Sequence, residues 1–158
     1  MTDEHEPRLF ANDAAVRHIG EGLLACTLAR EEWTHEAHLA ATCWLVLERP
    51  DIHPECDLGD VIRRFNESVG GVHSDTEGYH ETITQCFIIG VRRALARSEG
   101  RGLAERVNAL LLAEERRRDW PLRFCSRELL FSKAARLGWV EPDLAALPAT
   151  CNARRRTG

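Results

Sequence analysis

Apolar residues recur along this chain at the spacing of an α-helix, most clearly between residues 57 and 69. There Leu58, Val61, Ile62, Phe65 and Val69 follow the i, i+3, i+4, i+7, i+11 pattern, which places all five side chains on one face of a helix. The alternation of apolar and polar residues that is typical of a half-buried strand is nearly absent. The sequence therefore predicts an all-α fold.

Capping residues and chain breakers divide this pattern into a single bundle of about five to six helices. Asn12 or Asp13 and then Thr34 are suitable N-caps, whereas Gly138 closes the last helical region. The predicted helices cover residues 12–28, 35–48, 57–69, 79–98, 103–114 and a punctuated region at 121–137. The segment 139–148, which contains Pro142 and Pro148, is predicted to be an extended C-terminal tail.

The domain organisation follows from these boundaries. Residues 1–11 are predicted to be a flexible N-terminus, 12–148 the helical domain, and 149–158 a flexible basic tail. A chain of 158 residues with 44% hydrophobic content can bury roughly 68–70% of its unfolded surface. It therefore needs no metal or disulfide for stability, and a metal site has to be argued from function.

Charge and cysteine content limit the expected partners and location. The 25 acidic residues outnumber the 21 basic ones, so a general phosphate-binding surface, and hence nucleic acid, is not expected. No apolar run approaches the roughly 20 residues that span a bilayer, and the acidic N-terminus does not resemble a secretory signal. The six cysteines form no C-x-x-C pair, which is typical of buried thiols in a reducing compartment. We therefore expect a cytoplasmic protein with no membrane partner.

Two histidines stand three residues apart at the start of the second predicted helix. In the segment 33–39, Thr34 is the candidate N-cap, Trp33 precedes it, and His35 and His38 share a helical face. Because apolar residues such as Leu39 lie on the same side, both imidazoles are expected to point toward the core.

A third histidine lies at the start of the long helix predicted at 79–98. Helical spacing places His80 in the middle of an apolar face, with Ile83 and Phe87 around it and Glu81 at its edge. A single histidine on an apolar face is usually a hydrogen-bonded core residue. Three such histidines at helix starts would converge if those starts meet in space.

Convergence of His35, His38 and His80, with Glu81, would provide a ligand set for one divalent transition metal, Zn, Fe, Mn or Ni. Glu81 is a candidate fourth ligand or general base, and Tyr79 is a candidate proton donor. The first hypothesis is thus a metal-binding protein, with the option of a metal-dependent hydrolase or non-haem Fe(II) enzyme that acts on a small-molecule ligand. The alternative is a non-enzymatic regulatory or structural helical module whose histidines are hydrogen-bonded core residues.

The spacing of these histidines and glutamates does not match more specific metal-binding motifs. His35-Glu36-Ala37-His38 is one residue shorter than H-E-x-x-H. The Glu-x-x-His pairs that end at His35 and His80 superficially match di-iron bundles, but each glutamate falls outside the predicted helix. A dinuclear centre is therefore a minor alternative.

Three segments together resemble a group of short uncharacterised bacterial all-helical proteins. They are W-T-H-x-x-H-L at 33–39, Y-H-E-T at 79–82 and S-R-E-x-L-F at 126–131, so the likeness spans most of the chain. This resemblance implies a helical fold but no particular reaction. A looser likeness is to DinB-type metal-binding bundles, which hold a metal with three histidines, although the spacing of His35 and His38 departs from their His-x-x-x-His.

Two further polar features are weaker candidates. Ser126-Arg127-Glu128 fits a helix cap with solvated charges better than a charged pocket mouth. Asn66 lies at the edge of the third predicted helix, from which it could reach a polar pocket.

Overall fold

A computed structural model of the protein describes residues 6–148 and shows an all-α architecture, with no strand in that range. Three short 3-10 helices occupy Arg30–Glu32, Glu114–Arg116 and Trp120–Arg123. The α-helices are α1 (Asp13–Ala25), α2 (His35–Glu48), α3 (Pro54–Ser68), α4 (Glu81–Arg97), α5 (Leu103–Leu111), α6 (Arg127–Leu130) and α7 (Lys133–Leu137). These seven exceed the predicted five to six because the region 121–137 breaks into short pieces.

Helix α2 lies at the centre of the bundle and contacts α1, α3, α4 and α5. Its buried residues face several directions around the helix axis, and they include Leu39, Cys43, Trp44 and Leu45. A helix that is apolar on most sides is expected inside a domain rather than on its surface. The N-terminus of α2 is therefore surrounded by other elements, and that is where His35 and His38 lie.

The predicted caps Asn12, Thr34 and Ser126 are confirmed, and Ser132 caps a fourth helix. Asn12 accepts a hydrogen bond from the backbone N–H of Ala15, and Thr34 accepts one from that of Ala37. Ser126 and Ser132 cap α6 and α7 in the same way. Each cap satisfies a backbone donor in the first helical turn, and this local interaction explains why sequence predicts these starts well.

Several boundaries differ from the predictions. Helix α1 ends at Ala25 rather than residue 28, because Cys26 adopts a left-handed conformation with φ 58°. Helix α3 begins at Pro54 rather than Asp57, since proline is well suited to the first helical position. Helix α4 begins at Glu81 rather than at residue 79.

A buried carboxylate fixes the segment that follows α5. The side chain of Glu115 is 0% exposed and accepts two hydrogen bonds from Arg97 of α4, at 2.7 and 2.8 Å. The Nε of Arg93, also on α4, lies 3.2 Å from Oε2 of Glu115. Close by, the indole N–H of Trp120 donates to the carbonyl of Cys86 at 3.0 Å. Residues 115–120 are thereby held against α4.

The part of the described chain that follows α7, residues 139–148, contains no helix and no strand, and bends at 143–145. The backbone N–H of Leu144 donates to the carbonyl of Phe124, and Asp143 accepts hydrogen bonds from Ser126. The predicted basic tail at 149–158 lies outside the described residues, as do residues 1–5. Between residues 6 and 148, no helix is long and apolar enough to cross a membrane.

Helices α1 and α2 pack closely together at Gly20. A Cβ atom at this position would overlap the ring of Trp44, a buried side chain of α2. We therefore expect Gly20→Ala to destabilise the protein by about 2 kcal/mol, since overpacking outweighs the gain in helix propensity of about 1 kcal/mol. Thermal unfolding should show a Tm lower by about 5 °C. Glu21→Ala, at an exposed position of the same helix, is the control; an unchanged Tm for Gly20→Ala would contradict the packing argument.

Candidate functional site

The N-termini of α2 and α4 border one cavity of about 410 Å³, which α3 closes from a third side. His35, His38, His80 and Tyr79 all line it, whereas Glu81 does not. The structure thus brings the three predicted histidines to a common cavity and leaves the predicted carboxylate outside its wall.

The start of α2 is organised by Trp33, which stacks on His38 with ring centroids 3.8 Å apart and an angle of 27° between the planes. Trp33 precedes the N-cap Thr34, and His38 is the fourth residue of the helix. These are the two positions that a hydrophobic staple connects. The structure thus identifies His38 as the partner of Trp33 in such a staple. The packing holds the His38 ring at the cavity wall.

The environment of His38 keeps its imidazole neutral. Burial, the neighbouring His35 and the charge of Arg118 lower the pKa of His38 from 6.5 to about 3. A neutral imidazole carries one N–H donor and one acceptor nitrogen, so His38 can form hydrogen bonds in either role.

His35 is oriented by a backbone carbonyl that is distant in sequence. Its Nε2 lies 2.6 Å from the carbonyl oxygen of Arg116 and donates to it, since a carbonyl can only accept. The ring also packs edge-on against Phe87, with centroids 5.3 Å apart. His35 therefore links α2, α4 and the segment held by Glu115.

His80 is not on the helical face where sequence placed it: it is the N-cap of α4. Its Nδ1 accepts from the backbone N–H of Ile83 at 3.2 Å, and its Nε2–H donates to the carbonyl of Leu130 at 2.7 Å. Histidine is an unusual N-cap, so the prediction extended the helix past it. The two hydrogen bonds require the neutral tautomer with its proton on Nε2, and burial correspondingly lowers the pKa of His80.

Tyr79 and Glu81 interact with each other beside the cavity. The Tyr79 hydroxyl donates to Glu81 Oε1 at 2.8 Å, and the Gln85 amide donates to Glu81 Oε2 at 2.9 Å. Burial and the adjacent carboxylate raise the pKa of Tyr79, so the phenol keeps its proton at neutral pH. Both oxygens of the candidate base Glu81 are thus engaged within the protein.

Two of the four predicted metal ligands, His80 and Glu81, form hydrogen bonds within the protein through the atoms that would bind a metal. A neutral histidine has a single ring lone pair, and that of His80 is occupied by the N–H of Ile83. Glu81 faces Tyr79 and Gln85 instead of the histidines. Across residues 6–148, no group of three or more His, Cys, Asp or Glu side chains is placed to hold a metal ion. Metal binding stays a prediction.

Sequence reasoning missed one charged residue of the cavity. Arg118 lines it, although it lies in the charged block 114–119 that follows α5. That block has no helical pattern that would place Arg118 near α2. The contact depends on the pairing of Glu115 with Arg97, which no local signal reveals. Asn66, a weak candidate from the sequence, also lines the cavity.

Comparisons with known proteins leave the resemblance to bacterial helical proteins as a prediction. No family model matches the chain, and neither the curated proteins nor the solved structures contain a match.

The lowered pKa of His38 predicts a pH dependence of stability. The unfolded state binds a proton below about pH 6.5, while folded His38 resists protonation down to about pH 3. The contribution of this residue to stability is therefore complete above pH 6.5 and is lost as the pH falls toward 3. Between about pH 7.5 and about pH 5 the loss should reach about 2 kcal/mol.

Urea unfolding of the wild type and of His38→Phe at both pH values measures this loss. Phenylalanine retains a ring that can stack on Trp33 but cannot titrate, so the variant should lose less stability at low pH. His53→Gln, at an exposed histidine, is the control and should behave as the wild type. An identical pH dependence for His38→Phe and the wild type would show that His38 is not held neutral.

The metal hypothesis has an equally direct test. Because the lone pair of His80 is engaged, we expect protein purified without a histidine tag to have the same metal content as a variant with His35, His38 and His80 all replaced by Ala. Elemental analysis measures this content. One metal ion per chain in the wild type, lost in the folded triple variant, would establish the metal site instead.

Proposed function

We propose that the protein binds a small organic molecule in the cavity between α2, α3 and α4. The observation that carries this proposal is the cavity itself. Its volume of about 410 Å³ lies in the range of roughly 300–1,000 Å³ that is typical of ligand pockets. Its wall combines apolar and aromatic residues with about as many polar ones, which converge on it from different elements. Apolar surface with convergent polar groups is what sites that recognise small molecules offer.

The polar groups of the wall are held in place before a ligand arrives. His38 is stacked on Trp33, and His35 and His80 are each hydrogen-bonded to a carbonyl from another part of the chain. Groups that are already ordered lose little conformational entropy on binding, which favours affinity. The hydrogen bonds of the histidines thus support a rigid binding site.

Binding without catalysis is the form of this function that the site favours. General acid–base catalysis works best when the pKa of the catalytic group is near the operating pH. The pKa of His38 is lowered to about 3, and that of Tyr79 is raised well above neutrality. Neither group exchanges a proton readily at neutral pH. This proposal is therefore closer to the non-enzymatic alternative from the sequence, a helical regulatory or structural module with hydrogen-bonded histidines, to which it adds a ligand pocket.

Blocking the cavity tests the proposal. Thr84 lines the cavity and is partly exposed, so Thr84→Trp should fill space that a ligand needs. We expect ligand-observed NMR with a library of small aromatic and aliphatic compounds to detect binders for the wild type, and those binders to lose at least about tenfold in affinity for the variant.

Leu112→Trp is the matched control, because Leu112 is 68% exposed and lies outside the cavity. Asn66→Trp, which enters the same cavity from α3, serves as a second blocking variant if Thr84→Trp does not fold. Binders whose affinity is unchanged in a folded blocking variant would show that the cavity is not the binding site.

A further inference from the structure

Three side chains of the cavity wall carry hydrogen-bonding atoms that are not used within the described part of the chain. The indole N–H of Trp33 is buried and has no hydrogen-bond partner among residues 6–148. Over the same range, neither the carboxamide of Asn66 nor the ring nitrogens of His38 form a hydrogen bond. His35 and Arg118 differ, since each already interacts with other groups of the protein. A ligand can therefore hydrogen-bond to the first three side chains without breaking an existing contact.

Trp33 and Asn66 belong to the same part of the wall. The Trp33 ring packs edge-on against Phe65, the residue before Asn66 in α3, with ring centroids 5.5 Å apart. A second pocket, of about 400 Å³, shares Trp33, Asn66 and Gly78 with the cavity. The indole donor and the carboxamide are thus neighbours at the edge where the two pockets meet.

The chemistry of these two side chains specifies a complementary group. A carboxamide presents an N–H donor beside a carbonyl acceptor, and asparagine recognises planar groups through two such hydrogen bonds at once. The matching group is a cyclic amide, whose N–H and C=O lie on the same side of the ring. A carbonyl oxygen has two lone pairs, so one that accepts from Asn66 can also accept from the indole of Trp33. A single cyclic amide therefore supplies the acceptor that the buried indole lacks.

The surroundings of this part of the wall favour a ligand without charge. His38 stacks on Trp33, and burial is the largest cause of its lowered pKa. Burial disfavours the charged form of an acid as well as that of a base. A charged group of a ligand would meet the same penalty beside Trp33, and neither Trp33 nor Asn66 carries a charge that could offset it. A neutral amide pays a smaller desolvation cost and recovers it through hydrogen bonds.

We infer that the ligand of this cavity is a neutral cyclic amide whose carbonyl accepts from Trp33 and Asn66 and whose N–H donates to Asn66. This inference rests on the proposed binding function and specifies its ligand class. Ile62 and Leu58 lie one and two helical turns before Asn66, and both line the cavity, as does Phe87 across from them on α4. They provide apolar surface for the rest of a flat heterocycle.

Four compounds that share one ring system test the inference. 2-Quinolone has the adjacent N–H and C=O, N-methyl-2-quinolone keeps only the carbonyl, quinoline has a ring acceptor alone, and quinoline-2-carboxylate is an anion. Isothermal titration calorimetry at neutral pH should give 2-quinolone an affinity at least about fivefold higher than that of each of the other three, since each loses at least one hydrogen bond.

Asn66→Leu replaces the carboxamide by an apolar side chain of similar size. We expect this variant to lose the preference for 2-quinolone over N-methyl-2-quinolone. Glu67→Leu, at the next position of α3, is exposed and outside the cavity, so it is the matched control and should retain the preference. Thermal unfolding confirms that each variant is folded. Asn66→Asp, which keeps the shape but has no amide donor, replaces Asn66→Leu if the latter does not fold, and should weaken binding of both quinolones.

The indole N–H of Trp33 provides a direct readout. In ¹⁵N-labelled protein its resonance can be assigned by comparison with Trp33→Phe. A new hydrogen bond shifts an N–H proton downfield, so both quinolones should shift this resonance further downfield than quinoline, which has a similar ring but no carbonyl. Equal shifts with all three compounds would overturn the placement of the ligand carbonyl at Trp33.

The possible outcomes separate the two proposals. If none of the four compounds binds, and the broader library yields no binder that cavity blocking weakens, the binding function itself is wrong. If the library yields such binders but 2-quinolone does not bind, or binds no better than quinoline or quinoline-2-carboxylate, the cavity binds ligands and the inference of a cyclic amide is overturned. That inference is also overturned if folded Asn66→Leu keeps the preference for 2-quinolone, or if Glu67→Leu loses it.

Discussion

The arrangement of the cavity depends on one buried carboxylate, that of Glu115. Burial alone raises the pKa of Glu115, but hydrogen bonds from Arg97 and from the backbone outweigh it, and the net pKa lies below its ordinary value. A buried charge is tolerated only when it is paired, so this side chain confines its segment to the surface of α4. The next residue, Arg116, then offers its carbonyl to His35, and Arg118 reaches the cavity opening. An ion pair outside the cavity thus determines one of its walls.

The three histidines illustrate how one residue type serves different structural roles at neighbouring positions. His38 is a stacking partner, His35 is a hydrogen-bond donor across the bundle, and His80 is a helix cap. In His80 both ring nitrogens are engaged, and in His35 the Nε2 is. Only the hydrogen bond of His80 Nδ1 uses a ring lone pair that a metal would need, because His35 donates an N–H and uses none. The same hydrogen bonds make the cavity wall rigid, which is an advantage for a binding site.

The sequence predicts those parts of the structure that are determined by interactions between residues close together in the chain. The start of α2 follows from Thr34, three residues before the N–H that it caps, and its predicted bounds match those of the structure. The core positions of α3 follow from helical period alone. The predicted position of His80 is wrong because its capping role is completed by Leu130, which is 50 residues away in sequence. The position of Arg118 in the cavity wall is not predicted for a related reason, because tertiary contacts of Glu115 with Arg97 place its segment there. Spacing in sequence carries no information about either contact.

The neutrality of His38 and the charge of Arg118 are linked, and the link shapes what the cavity can recognise. Arg118 helps to lower the pKa of His38, so a proton on His38 would put a second positive charge near the first. Burial is the larger cause of the lowered pKa, and an apolar ligand body would exclude more water and oppose protonation. Because burial and the charge of Arg118 both favour the neutral ring, His38 should stay neutral when a ligand excludes water, with one donor and one acceptor nitrogen for hydrogen bonds.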